Sequence, residues 1–288
     1  MIVFRYDKTL DGLLTVVFDA YSRRIWPEAL LAPGEPAPMF TDEEHTVATD
    51  PEKARRVWRA LEKKLPKDVL NMLVMGWLSE QEGVDVMAAR FMRRVFDETG
   101  AVATDFRDPD VLRIKQLAQK VSREREHLMQ FTRFQKGADA GDPGDDPANP
   151  SGQPTYFAPV SPRYNALPLA IPYFHDRFRD QRWLVYDISR HYGYYYDLHE
   201  VTEITLPDDS RLASGRLDPS LLAGNEDMFA QMWRGYIASM AIEERLNARL
   251  QRQHMPRRFW PLMTEMAGTP GTVETPPPPD LPARKRRR

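Results

Sequence analysis

The stretch YFHDRFRDQRWLVYDISRHYGYYYD, residues 173–197, decides how the second half of the chain folds. It holds nine aromatic residues, four arginines and two histidines in 25 positions, and it contains no lysine. Two runs rich in β-forming residues, 183–187 and 193–197, flank a turn region at 189–192, and this pattern predicts a β-hairpin. Interleaved arginines and aromatics are typical either of a packed core or of a surface that stacks bases and binds phosphate.

The periodicity on either side of this hairpin predicts an α+β fold. Strand patterns at residues 128–135, 155–160 and 200–206 complete a small antiparallel sheet flanked by helices. Residues 1–127 are predicted to be mainly helical, with a short strand at 1–6. Thr9 and Asp50 are candidate N-caps for the first two helices. The predicted helices cover residues 9–24, 51–64, 66–80, 84–99, 108–126, 167–179, 225–250 and 256–266.

Two segments of biased composition lie outside this folded body. Residues 137–154, GADAGDPGDDPANPSGQP, contain four Asp, four Gly, four Pro and no basic residue, which predicts a disordered acidic loop. Residues 267–288 are rich in proline and end in ARKRRR, which predicts a disordered basic tail. We expect residues 128–266 to carry the sheet and to form one continuous domain with residues 1–127.

Composition limits the classes of protein to consider. The chain has 288 residues, of which 42% are hydrophobic and 28% charged, as in an ordinary globular protein. It has no cysteine, which excludes disulfides, zinc–thiolate sites and iron–sulfur clusters bound by this chain. No apolar run approaches the roughly 20 residues that span a bilayer, and the N-terminus lacks a secretion signal. We therefore expect a cytoplasmic protein without membrane contact.

Charge is unevenly distributed although its sum is only −2. From Arg113 to Lys136 there are seven Lys or Arg against two Glu, and from Arg245 to Trp260 there are five Arg and no acid. A net charge near zero argues against a uniformly basic nucleic-acid-binding protein, but local basic segments can still contact phosphate.

Motifs for common cofactors are absent from the chain. It contains no GxGxxG, GxxxxGK[ST], HExxH or GxSxG pattern, so we predict no cofactor, and the histidine spacing predicts no metal site. Asp187 and Asp197 are the catalytic candidates, because carboxylates on adjacent strands of one hairpin can share a proton and raise one pKa. Tyr194 is a candidate for an exposed ring that stacks a base.

Four separated blocks of the sequence resemble a bacterial family described only as "probable DNA metabolism protein". The blocks are FRYDKTLDGLLTVVFDAY near the N-terminus, FTRFQK at Phe131, PRYNALPLAIPYFHDRFRDQRWLVYDISRHYGYYYD, and EERLNARLQRQHMPRRFWPLMTE. The resemblance covers roughly residues 1–266 and implies a role in DNA repair. It also implies a radical SAM protein as partner, because members are typically encoded beside one, and a similar domain is fused to uracil-DNA glycosylase-type domains. The acidic insertion and the basic tail depart from the family pattern.

Side chains in these blocks are the candidates for DNA binding. Arginine offers bidentate donors to phosphate or to a partner carboxylate, and asparagine and glutamine can donate and accept at a base edge. We expect an arginine block around residues 173–197 to meet a second block at residues 245–258 in one site. The candidates are Arg133, Arg177, Arg190, Tyr194, Arg245, Asn247, Gln251, Arg257 and Arg258.

The leading hypothesis is a DNA-repair protein that binds DNA or a nucleotide-bearing substrate beside a radical SAM enzyme. One alternative is an enzyme that processes a nucleobase or nucleotide with Asp or Tyr acid–base catalysis. The other is a structural adaptor that does not bind DNA and whose arginines pair with acidic protein surfaces. The sequence leaves the substrate and the oligomeric state open.

Overall fold

The computed structural model of the protein describes residues 1–98, 102, 105–137, 154–206 and 254–263. The chain divides into two compact units. The first contains residues 1–124 with 164–166, and the second contains the described residues of 125–163 and from 167 onward. The fold is mixed, with helices and strands in both units, which confirms the predicted α+β class.

The first unit combines a small parallel sheet with five helix segments. Its strands are β1 (Ile2–Arg5), β2 (Ala29–Leu31) and β3 (Glu43–Thr46), and they pair in the order β2-β1-β3. Its helices are α1 (Leu10–Arg23), α2 (Pro51–Lys64), α3 (Lys67–Trp77), α4 (Val84–Asp97) and the larger part of α5 (Pro109–Phe131). The sequence predicted β1 but neither of its partner strands. Strands β2 and β3 flank a proline-rich connection, and most residues of β3 are exposed to solvent.

Helices α1 and α2 begin where their capping residues predict. The Thr9 hydroxyl accepts a hydrogen bond from the Gly12 amide at 2.9 Å. The Asp50 carboxylate accepts from the amides of Glu52 and Lys53 at 2.9 and 3.2 Å. Each cap satisfies amides that have no partner within the helix. The apolar stripes of these helices then pack on the sheet in one core, which includes Phe4, Val17, Leu61, Phe91 and Ile114.

The second unit is built on a five-stranded mixed sheet. Its strands are β4 (Gln135–Lys136), β5 (Thr155–Val160), β6 (Arg182–Asp187), β7 (Tyr192–Tyr196) and β8 (Val201–Ile204), in sequential order. The predicted hairpin is confirmed as β6 and β7, with Asp187 opposite Tyr192 and Trp183 opposite Tyr196. The prediction of a purely antiparallel sheet is wrong, because β5 and β6 pair in parallel. The helix α6 (Leu167–Arg177) connects them, and such a crossover returns the chain to the same end of the sheet.

The predicted strand at residues 128–135 is also wrong. Helix α5 continues to Phe131, and only two residues of β4 pair with β5. Leu128 is buried and continues the helical spacing of Val121 and Ile114, seven residues apart each time. The sequence after His127 was interpreted as a strand, but the helical period of the preceding residues continues to Phe131 and determines the structure.

Gly193 in β7 has no room for a side chain. A Cβ atom at this position would lie 2.5 Å from the Val185 carbonyl oxygen and 2.8 Å from Cδ2 of the Tyr186 ring. We expect Gly193→Ala to lower the free energy of unfolding by about 1–3 kcal/mol, as overpacking does, whereas alanine for glycine in an open strand stabilises. Urea unfolding measures this, with Thr202→Ala on the exposed side of β8 as the control. A Gly193→Ala variant as stable as the wild type would contradict the packing described here.

Several sequence predictions lie outside the described residues. They are the helix at 225–250, the tail at 267–288 and nearly all of the acidic loop. The predicted terminal helix is a 3₁₀-helix at Arg257–Leu262 in the described segment. None of the described helices is both long enough and apolar enough to cross a membrane.

Candidate nucleic-acid interface

Helix α5 is the longest described helix and is firmly fixed at its N-terminal end. The Asp108 carboxylate accepts hydrogen bonds from the amides of Asp110 and Val111 at 2.7 and 3.1 Å. The Arg90 guanidinium of α4 donates two hydrogen bonds to the Asp110 carboxylate at 2.7 and 2.8 Å. Apolar residues at three- and four-residue spacing face the core, namely Val111, Ile114, Leu117, Ala118, Val121 and Leu128. One face of α5 is thereby buried and the opposite face is exposed.

The exposed face of α5 carries a row of basic and amide side chains. From Val111 to Arg123 the helix contains no acidic residue. Arg113, Lys120 and Arg123 are all exposed, and none of them forms an ion pair with another residue of the described segments. We define the α5 basic face as the exposed residues Leu112, Arg113, Gln116, Gln119, Lys120 and Arg123.

Several other cations in the first unit pair with carboxylates. Arg90 pairs with Asp110, and Lys53 pairs with Asp19 at 2.7 Å. Arg94 contacts three carboxylates, those of Glu98, Asp105 and Asp108. These hydrogen-bonded acids raise the pKa of the Arg94 guanidinium, with Glu98 as the main cause. The α5 basic face therefore places three exposed cations, without an ion pair among the described residues, on a stretch that is free of acid up to Glu124 and the exposed Glu126.

Lys115 lies beside the α5 basic face and rests on an aromatic ring. Its Nζ atom lies 3.8 Å from the centroid of Phe106, and 42% of Phe106 is exposed. A cation over a ring face is held in place by the ring quadrupole. The pair places a further positive charge and an exposed aromatic ring on the side of the exposed helix surface opposite Arg113 and Lys120.

The two catalytic candidates do not face each other. The register of β6 and β7 places Asp187 beside the hairpin turn and Asp197 beyond the opposite end, about 17 Å away at strand spacing. The Asp197 carboxylate accepts hydrogen bonds from the amides of Glu200 and His199, and these bonds close a turn. They also lower the pKa of Asp197. The shared proton expected from the sequence is therefore incompatible with this hairpin.

Asp187 instead belongs to a buried ion pair with Arg190. Its side chain is 0% exposed, and Oδ1 accepts from the amides of Ser189 and Arg190 at 2.9 and 3.2 Å. Oδ2 accepts from the Arg190 guanidinium at 2.9 Å. Burial raises the pKa of Asp187, while the Arg190 charge opposes that shift. Both oxygens serve the turn, so the geometry supports a structural role, and catalysis by Asp187 stays a prediction.

Arg190 and Arg133 are occupied by contacts within the second unit. Besides Asp187, the Arg190 guanidinium donates to the carbonyl oxygens of Pro162 and Arg163 at 3.0 and 3.4 Å. Arg133 donates to the carbonyl oxygens of Gln130 and Thr132 at 2.9 and 3.2 Å, just beyond the end of α5. Both arginines therefore stabilise local backbone.

Tyr194 and Arg258 also contact other side chains of the second unit. The Tyr194 hydroxyl donates to Glu203 at 3.0 Å, and burial raises its pKa. Arg258 lies over the Phe259 ring at 4.7 Å. The Tyr194 hydroxyl is therefore engaged in a hydrogen bond, and Arg258 is half-buried beside the Phe259 ring.

Among the candidates that the structure describes, Arg177 and Arg257 are the two that are exposed. Arg257 lies over Trp260, with 5.7 Å from its guanidinium carbon to the ring centroid. Arg177 lines a shallow groove of about 480 Å³ at the end of α6, together with Tyr173, Asp176, Arg179 and Asp180. Two arginines and two aspartates cancel in charge there, so this groove attracts phosphate less than the α5 basic face does.

Part of the predicted site cannot be compared with the structure. Arg245, Asn247 and Gln251 lie outside the described residues, so the meeting of the two arginine blocks stays a prediction. Among the described residues, no group of three or more histidines, aspartates and glutamates converges in a way that could hold a metal ion.

The α5 basic face was missed as a site in the sequence, although its signals are present there. The sequence shows an excess of basic residues after Arg113, but most of this excess lies outside the four blocks that carry the family resemblance. Helical spacing of Arg113, Gln116, Lys120 and Arg123, together with the absence of acid from 111 to 123, would have identified the face.

Comparison with known proteins gives a family without an assigned activity. Residues 82–265, more than half of the chain, match the model of the domain of unknown function DUF4130, and the chain belongs to that family. No curated protein and no solved structure matches it. The matched region includes α5, so the α5 basic face lies within the family domain.

Proposed function

We propose that this member of the DUF4130 family binds DNA through the α5 basic face and takes part in DNA repair or DNA metabolism. The observation that carries the proposal is the row of exposed cations Arg113, Lys120 and Arg123, which have no acidic partner among the described residues. Nucleic-acid phosphates are the common polyanion whose binding such a row favours, because each contact releases condensed counterions. The resemblance described above supports the repair context.

The same resemblance adds a partner to the proposal. A radical SAM enzyme would supply the reaction on DNA, and this chain would hold the substrate. The catalytic candidate Asp187 is buried and tied to Arg190. A binding role therefore fits the described side chains better than the alternative of acid–base catalysis by this chain.

Titration of the wild-type protein against a labelled duplex over a salt series tests the proposal. We expect binding at about 50 mM salt and a linear fall of log K with log salt, with a slope near −2.7 if all three cations contact phosphate. Fluorescence anisotropy gives both values. Absence of binding at low salt would overturn the proposal and favour the adaptor alternative.

A further inference from the structure

The positions of side chains around α5 divide its exposed surface into a ridge and two flanks. At about 100° per residue, Leu112, Gln116, Gln119 and Arg123 fall within an arc of about 60° on the side opposite the core. Arg113 and Lys120 lie together on one side of this arc, and Lys115 lies on the other. The ridge is mainly neutral, and the charges stand beside it.

A ridge of this length matches the major groove of duplex DNA. Leu112 and Arg123 are 11 residues apart, or about 16 Å along the helix axis. A helix of about 10–12 Å diameter enters the major groove, which is about 12 Å wide, with its central side chains toward the bases and its flanks toward the two backbones. Flanking cations on both sides of a neutral ridge fit that arrangement.

The residue types on the ridge suit base edges. Glutamine donates and accepts at once and can form a bidentate pair with adenine, while arginine forms one with guanine. Leu112 is 40% exposed and offers an apolar contact of the kind that a thymine methyl group takes. A glutamine can also donate to a phosphate oxygen, but only a base edge uses its donor and its acceptor together.

Single-stranded nucleic acid fits the same face less well. Proteins that hold single strands stack bases on aromatic side chains along a basic groove. Helix α5 contains no Phe, Tyr or Trp from Pro109 to Gln130, and the Phe106 ring on its flank already carries Lys115 over one face at 3.8 Å. Duplex RNA is disfavoured for another reason, since its major groove is too deep and narrow for side chains to read.

We propose that α5 is a recognition helix for the major groove of duplex DNA, in which Gln116, Gln119 and Arg123 contact base edges and Arg113, Lys120 and Lys115 contact phosphates. This inference rests on the proposed function, because it requires that the chain bind DNA at the α5 basic face. It adds that the ligand is a duplex and that binding depends on base sequence. Adenine and guanine in neighbouring base pairs are the expected recognition elements.

Selection from a duplex library with a randomised centre tests the sequence dependence. We expect the wild type to enrich a short motif that contains adenine, with a mismatch in it weakening binding by at least about fivefold. The variant Gln116→Ala/Gln119→Ala is expected to lose the preference at adenine, while its affinity for a random duplex and its salt slope stay within about twofold of the wild type. Circular dichroism and thermal unfolding check that the variant is folded.

The matched control is Gln130→Ala, an exposed glutamine of the same helix beyond the ridge. This control should keep the motif. A second comparison uses single-stranded DNA and duplex RNA of the selected sequence, and the duplex DNA should bind at least about tenfold more tightly.

The outcomes separate this inference from the proposed function. Binding without any base preference, or a preference that survives Gln116→Ala/Gln119→Ala, overturns the recognition helix and leaves DNA binding intact. Equal or tighter binding of single-stranded DNA or duplex RNA also overturns it. Failure to bind any of these nucleic acids overturns both.

Discussion

Replacing Arg113, Lys120 and Arg123 together with glutamine is expected to weaken duplex binding by on the order of 10²-fold at about 0.1 M salt. The three side chains are exposed, and they make no ion pair within the described part of the chain. Their loss therefore removes phosphate contacts without leaving a partner acid unpaired. The salt slope should fall toward zero by about 1.8 if Arg123 contacts base edges and by about 2.7 if it also contacts phosphate, and stability should change by less than about 0.5 kcal/mol. Anisotropy titrations over a salt series measure both effects.

A control with the same change in net charge separates a specific face from overall charge. The triple variant Arg55→Gln/Arg59→Gln/Lys63→Gln removes three exposed cations from α2, a helix outside the region that matches the family. Arg55 pairs with Glu52 on that helix, and Glu62 lies beside Lys63. We expect this variant to lose less than about threefold in affinity. Equal losses in the two triple variants would show that binding follows total charge rather than the α5 basic face.

The sequence was most informative where local signals and packing agree. The caps at Thr9 and Asp50 and the hairpin of β6 and β7 were all predictable, because each depends on a few neighbouring residues. The direction of β5 relative to β6 was not predictable, because parallel pairing depends on where the α6 crossover returns the chain. The partners of β1 were hidden for a similar reason, because β3 has the sequence EEHT and shows no apolar alternation.

Composition alone cannot tell a paired arginine from an unpaired one among the candidate residues. Arg190 and Arg113 are the same residue type, yet the first is tied to a buried carboxylate and the second is exposed. Only the fold decides between these states, because the partner of an arginine depends on the turn or helix that brings an acid within reach. Four of the nine aromatic residues at 173–197 are buried, namely Phe174, Trp183, Tyr186 and Tyr196, and the others are partly or fully exposed.

The buried pair of Asp187 and Arg190 leads to the largest stability prediction. Replacing Arg190 with alanine is expected to lower the free energy of unfolding by about 3–5 kcal/mol near neutral pH, because the Asp187 carboxylate then lies buried without its counter-charge. Two backbone amides still donate to this carboxylate, but they do not replace a full positive charge. Urea unfolding of the wild type and the variant measures the loss.

The loss should depend on pH in a defined direction. Burial holds the pKa of folded Asp187 above its ordinary value, and removing Arg190 removes the charge that opposes this rise. Between the unfolded pKa of about 4 and the higher folded pKa, the folded state binds more protons than the unfolded state. Stability of Arg190→Ala therefore decreases as pH rises through this interval, and its deficit relative to the wild type is smaller near pH 4 than near pH 8.

A second substitution distinguishes the buried charge from lost contacts. In Asp187→Asn/Arg190→Ala the amide oxygen can still accept from the backbone amides of residues 189 and 190, but no charge is buried. This double variant should be more stable than Arg190→Ala by about 1–3 kcal/mol at neutral pH, and the difference between the two variants should shrink toward pH 4. Equal deficits at every pH would mean that Arg190 stabilises the fold through the carbonyl oxygens of Pro162 and Arg163 instead. The hairpin turn would then depend on a guanidinium that holds backbone, and not on one that neutralises a buried acid.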